Sequence, residues 1–211
     1  MAAAESSTMT INGTINKIGI MLLLVIAAAA YTWNMVMGAD PGMAGTLAMV
    51  GAIGGFITAL VTIFRPRSSA ISAPIYAILD GLFLGAISAI INSMYPGVAF
   101  QAVLLTIVTL FTMLFLYRSG HIRATPRFRR GVMMATGAVF FANLISWIMG
   151  LLGMPVGFMH SSGPLGILIK LVIIVSAALI LIMDFDFIEK GSQMGAPKYL
   201  EWYGAFGLMV T

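Results

Sequence analysis

Long apolar stretches alternate with short polar connections along almost the whole chain. A helix needs about 20 apolar residues to cross the hydrocarbon core of a bilayer. On that scale the pattern predicts helices at Ile18 to Met37, Gly45 to Phe64, Ala73 to Tyr95, Val98 to Tyr117, Val132 to Gly153 and Pro164 to Ile188. A last apolar run starts near Tyr199 and is still apolar at Thr211. At about 18 Å of helix it is too short to span. It reads as a seventh helix cut short, with a half-helix tucked against the bundle as the alternative.

The polar positions set the orientation. The connections around Asp40, Pro96 and His160 carry no Lys or Arg. Those between them carry Arg65 and Arg67; then Arg118, Arg123, Arg127, Arg129 and Arg130; then Lys190 and Lys198. Basic loops stay in the cytoplasm, so the expected N-terminus, with Lys17, is cytoplasmic. Short connections favour antiparallel neighbours. The expectation is an all-α polytopic membrane protein: a seven-helix transmembrane bundle over residues 16–211, after a disordered cytoplasmic leader over residues 1–15. Met9 could equally be the native start. A secretory signal ending near the alanines Ala27 to Ala30 is the rival reading of the first stretch. The lack of a basic cluster before Lys17, and Tyr31 and Trp33 in an interfacial belt, favour a membrane helix.

Composition narrows the class. The chain is 60% hydrophobic and 9% charged, against about 25% charged in soluble domains, so it does not fold in water. It has no cysteine, which removes disulfides, thiol catalysis and cysteine–metal sites. His121 and His160 lie too far apart in sequence to suggest a metal site. No nucleophile-elbow, zincin or phosphate-loop motif is present. His160 and Ser161 are mere sequence neighbours without a third group, and an aspartyl pair of Asp80 with Asp184 is weakly supported. The expectation is therefore no enzyme, no cofactor, no resident metal and no nucleic-acid partner. The methionines read as gap-fillers between helices, and Gly81 with Gly85 as a small-xxx-small packing pair.

Carboxylates in a membrane segment are expensive and mark function. The aliphatic run from Leu171 to Met183 stops on Asp184 and Asp186, with Glu189 just beyond. Asp80 lies about 11 Å into its helix from Ala73, and Glu201 opens the last one. With Arg65 and Arg67, these groups fall at the basic-loop end of the bundle. Asp184 and Asp186 point about 200° apart on a helix, so they face different partners. Asp184 and Asp80 read as functional; Asp186, Glu189 and Lys190 read first as an ordinary wet helix end. Lys170, about 21 Å from Asp184 along the helix, reads as snorkelling to the opposite interface. The arginine loop reads as an orientation signal with some lipid head-group contact.

The third-helix stretch from Ala73 to Gly85, including Leu79-Asp80-Gly81, and the run Met183-Asp184-Phe185-Asp186-Phe187-Ile188-Glu189 resemble the Bax inhibitor-1-like (transmembrane Bax inhibitor motif) family, in its bacterial branch. Ala196-Pro197-Lys198-Tyr199, Glu201-Trp202-Tyr203-Gly204 and the stretch from Tyr117 through Arg130 extend the likeness over nearly the whole chain. The resemblance implies a pH-modulated calcium or general cation leak in the bacterial inner membrane. There the carboxylate matching Asp184 pairs with one late in the seventh helix, beyond Thr211 here. An arginine in the place of Arg65 or Arg67 takes part in the latch, and Asp186 and Asp80 are features of this branch. The other implied reading is a regulator that binds a membrane protease or a stress-response partner and conducts nothing.

Overall fold

The computed structural model describes residues 8–39, 41–152 and 163–211. Among them the chain forms α1 (Ile11–Asn34), α2 (Pro41–Phe64), α3 (Ser69–Met94), α4 (Val98–Arg118), α5 (Pro126–Leu151), α6 (Pro164–Gln193) and α7 (Leu200–Val210). A π-helical turn, Met35–Ala39, follows α1, and a short 3-10 turn, Pro66–Ser68, precedes α3. No strand occurs among the described residues; Thr8 and Pro197 form one isolated bridge. The readings placed on Asp40, His160 and Ser161 lie outside the described residues. So does the helix end placed at Gly153.

Six helices, α1 to α6, are long and apolar enough to cross a membrane. With 11 residues, α7 is not among them. The protein is a multi-pass membrane protein, as the apolar pattern predicts. Its surface agrees: α4 buries no residue, and Phe100, Leu105, Phe111 and Phe115 lie open. In lipid this exposure is not penalised as it would be in water.

Several helices start earlier than hydropathy places them. α1 begins at Ile11, about two turns before Ile18. The Thr10 side chain caps it by accepting from Gly13 N at 2.9 Å, and Thr14 is buried. Residues 8–14, expected in a disordered leader, are thus a capped helix start and the short segment before it. Hydropathy marks where a helix becomes apolar, whereas the cap marks where its backbone begins. α5 likewise begins at Pro126, with Thr125 as its cap and proline at the first position.

The helices divide into two compact units, where the sequence pattern suggests one bundle. The first holds the chain through Ile107 together with Phe187–Val210; the second holds Val108–Asp186 and Thr211. Close packing organises the first. Its core gathers Met21, Ala73, Ala77, Ala205 and Phe206, with Tyr76 meeting Phe206 edge to face at 5.1 Å. Gly81 and Gly85 seat α3 against α1, as the small-xxx-small spacing predicts. A Cβ at Gly85 would lie 2.2 Å from Ala29 O and one at Gly81 2.5 Å from Val25 O. On the α2 side, a Cβ at Gly51 would lie 2.5 Å from Leu79 O. Thr62 Oγ1 donates to Ser72 Oγ at 2.7 Å and ties α2 to α3. In the second unit, Tyr117 and Phe185 rings meet at 6.0 Å and Ile182 is fully buried.

Candidate functional site

α6 runs from an apolar body into two carboxylates, and its period decides where each goes. Asp184 and Asp186 diverge, as a two-residue step on a helix requires. Asp184 is half-buried and accepts a hydrogen bond from Thr211 Oγ1 at 2.7 Å. No ion pair reaches it among the described residues. Asp186 is 5% exposed and forms an ion pair with Arg129 Nη2. It is not the wet helix end expected of it. It is buried, and an arginine in the opening turns of α5 pairs with it.

Arg129 is delivered by the local chemistry of α5. Thr125 caps the helix by accepting from Phe128 N at 3.2 Å, which fixes the phase in which Arg127, Arg129 and Arg130 leave it. Arg129 Nε is buried without a hydrogen-bond acceptor among the described residues. Sequence reasoning placed Arg129 in an orientation signal and missed the pairing. The available clue was its phase, about 200° from Arg127 and about 100° from Arg130.

The other candidates lie in the first unit. Asp80 is half-buried on α3, one turn from Tyr76, and has no ion-pair partner among the described residues. Arg65 and Arg67, expected as latch arginines, are exposed at the α2–α3 connection, and neither guanidinium has an ion pair among the described residues. Among the described residues, Arg129 forms an ion pair with an α6 carboxylate. No group of three His, Cys, Asp or Glu side chains that could hold a metal converges among the described residues.

A second ionic site stands where α1 and α7 begin. Glu201, in the first turn of α7, is fully buried. It accepts from Thr10 N at 2.9 Å and from Thr10 Oγ1 at 3.0 Å, and it forms an ion pair with Lys17. Lys17 Nζ also lies 5.6 Å from the centre of the Trp202 ring. Gly13 makes room, since a Cβ there would lie 2.2 Å from Glu201 Oε1. Burial alone would raise the Glu201 carboxyl; hydrogen bonds from Lys17 and Thr10 and the Lys17 charge outweigh it and hold the carboxyl below its ordinary value. Close by, Met9 N donates to Ala196 O at 2.6 Å, and Met9 is 1% exposed. Lys17 and Glu201 lie too far apart in sequence for pattern reading to join them.

A family model described as Bax inhibitor 1 like matches residues 1–211, the whole chain. No curated protein and no solved structure matches it.

Proposed function

The chain belongs to the Bax inhibitor 1-like family, and on that premise we propose that it is a pH-modulated cation leak pathway, not an enzyme, with calcium as the cation. Its place is the cytoplasmic membrane of a bacterium, with the N-terminus and the basic connections on the cytoplasmic side. The observation that carries this reading is the unequal treatment of the two α6 carboxylates. Asp186 is neutralised by Arg129, while Asp184 holds a hydroxyl. A carboxylate at the end of an aliphatic run, with no cation paired to it among the described residues, is a group whose protonation changes the local charge outright. Thr211 Oγ1 can donate to the carboxylate or accept from the carboxylic acid, so it accommodates both states. Deprotonated, Asp184 offers the oxygen ligand that hard cations take; protonated, it offers none.

Calcium flux into proteoliposomes at about pH 5 to 8 tests the reading. Wild type should conduct with a pH dependence that Asp184→Asn flattens at equal expression and folding. Superimposable profiles would remove Asp184 as the sensor. Absence of flux at every pH would overturn the conduit and leave the family's other role, a regulator that binds a membrane protease.

A further inference from the structure

The α4–α5 connection carries a concentration of one charge that the ion pair with Asp186 does not use up. Arg118, Arg123, Arg127, Arg129 and Arg130 lie within one short stretch, and the sequence holds no Asp or Glu between Asp80 and Asp184. Arg129 turns to Asp186. Arg118, Arg123, Arg127 and Arg130 are exposed and have no ion pair among the described residues. Arg127 and Arg130, three residues apart, share one face of α5, about 60° from each other. Arg123 belongs to the turn just before the Thr125 cap, where Thr125 N donates to Arg123 O at 2.8 Å.

We propose that Arg123, Arg127 and Arg130 form a binding surface for the phosphate headgroups of anionic phospholipids. Because the connection joins two membrane spans, these side chains sit at the headgroup level of a bilayer leaflet. Their mutual repulsion is uncompensated within this stretch, and anionic lipid supplies the missing charge. The stretch carries arginine and no lysine, and the planar fork of arginine binds phosphate oxygens in pairs and is less strongly hydrated than an ammonium. An orientation signal requires only positive charge; the arginine chemistry and the shared face of Arg127 and Arg130 add recognition.

The test is titration of the detergent-solubilised protein with short-chain phosphatidylglycerol and with phosphatidylcholine at physiological salt, read as lipid-bound species by native mass spectrometry. Phosphatidylglycerol should bind preferentially, and Arg123→Gln/Arg127→Gln/Arg130→Gln should remove the preference at about fivefold in affinity per arginine. Arg127→Gln alone should lose about fivefold, which keeps the test open if the triple variant misfolds. Arg65→Gln/Arg67→Gln, at the other arginine-bearing connection, should leave the preference intact. Equal binding of the two lipids by wild type, or an undiminished preference in a folded triple variant, would overturn the proposal. So would an equal loss in the Arg65/Arg67 variant, which would mark general charge attraction. Displacement of phosphatidylglycerol by millimolar glycerol phosphate would also overturn it, since the ligand would then be a soluble phosphate.

Discussion

Lys17–Glu201 and Arg129–Asp186 are each an ion pair between the early turns of one helix and a carboxylate on another, and they are built to opposite standards. Glu201 is fully buried, and both its oxygens are engaged by Thr10 and Lys17. The base is almost as enclosed, at 16% exposed. Arg129 is 41% exposed; among the described residues its Nε has no acceptor, and two residues away on α6 stands Asp184 without an ion pair. A buried pair whose hydrogen bonds are complete acts as a structural clasp, since every alternative leaves a charge stranded. A pair with one half-exposed partner is less enclosed and costs less to rearrange than a fully buried one. The first holds α1 to α7; the second joins α5 to α6 through a pair that is open on its arginine side.

The largest effect should come from breaking the clasp. Glu201→Ala strands Lys17 and two Thr10 donors, and should cost about 3 kcal/mol. A chain of this size loses roughly 2–4 °C of melting temperature per kcal/mol, so unfolding in detergent should start about 10 °C lower. A shift below about 2 °C would show that the pair contributes nothing to holding α1 and α7 together.

Paired glycine substitutions sharpen the contrast. Gly13→Ala drives a Cβ into Glu201 and should destabilise by about 2 kcal/mol. Gly131→Ala, in the turn after Arg129, meets nothing within 4 Å and should stabilise by up to about 1 kcal/mol through helix propensity. Thermal melts of the two variants check both signs.

Arg129→Gln should cost about 2 kcal/mol, because Asp186 is 5% exposed and loses its paired charge, although the guanidinium itself is half-exposed. Its reading is in flux: with the Arg129 charge removed from beside Asp186, calcium entry into proteoliposomes should change its pH profile. Arg65→Gln should leave that profile in place. The reverse outcome would restore the expectation that an α2 arginine governs the α6 carboxylates.

What the sequence reveals here follows from the range of each signal. Helix number, the start of α4 at Val98 and the seating of α3 by Gly81 and Gly85 come from local hydropathy and spacing, and these can be read from one segment alone. The divergence of Asp184 from Asp186 is also local, since it is fixed by helix period. The starts of α1 and α5 are less legible, because Thr10 and Thr125 cap turns that hydropathy scores as loop. The ion pairs are not legible at all. Glu201 meets Lys17, and Asp186 meets Arg129, across separations that no spacing rule covers. Charge alternation explained both bases as topology signals before any partner was in view. Arg65 and Arg67 show the converse: they stand at a helix end, and neither has an ion pair among the described residues.

The smallest expected effect is also the cleanest separation of the two sites, because it is an absence of change. Glu201 is held below its ordinary value of 4.5. A carboxyl depressed in the folded state contributes stability that is present above its unfolded value and disappears as pH falls through the folded one. Acidifying from about pH 7 to 5.5 lies above both values, so the difference in melting temperature between wild type and Glu201→Gln should stay constant there. Below about pH 4 the difference should shrink, as the wild-type carboxyl takes up a proton and comes to resemble the amide. Over the same upper interval the proposed leak through the Asp184 region should change its rate. Flat stability with changing flux separates a clasp from a sensor. A difference that shrinks between pH 7 and 5.5 would mean that the α1–α7 clasp titrates in the sensing range, and the division of labour between the two ion pairs would have to be abandoned.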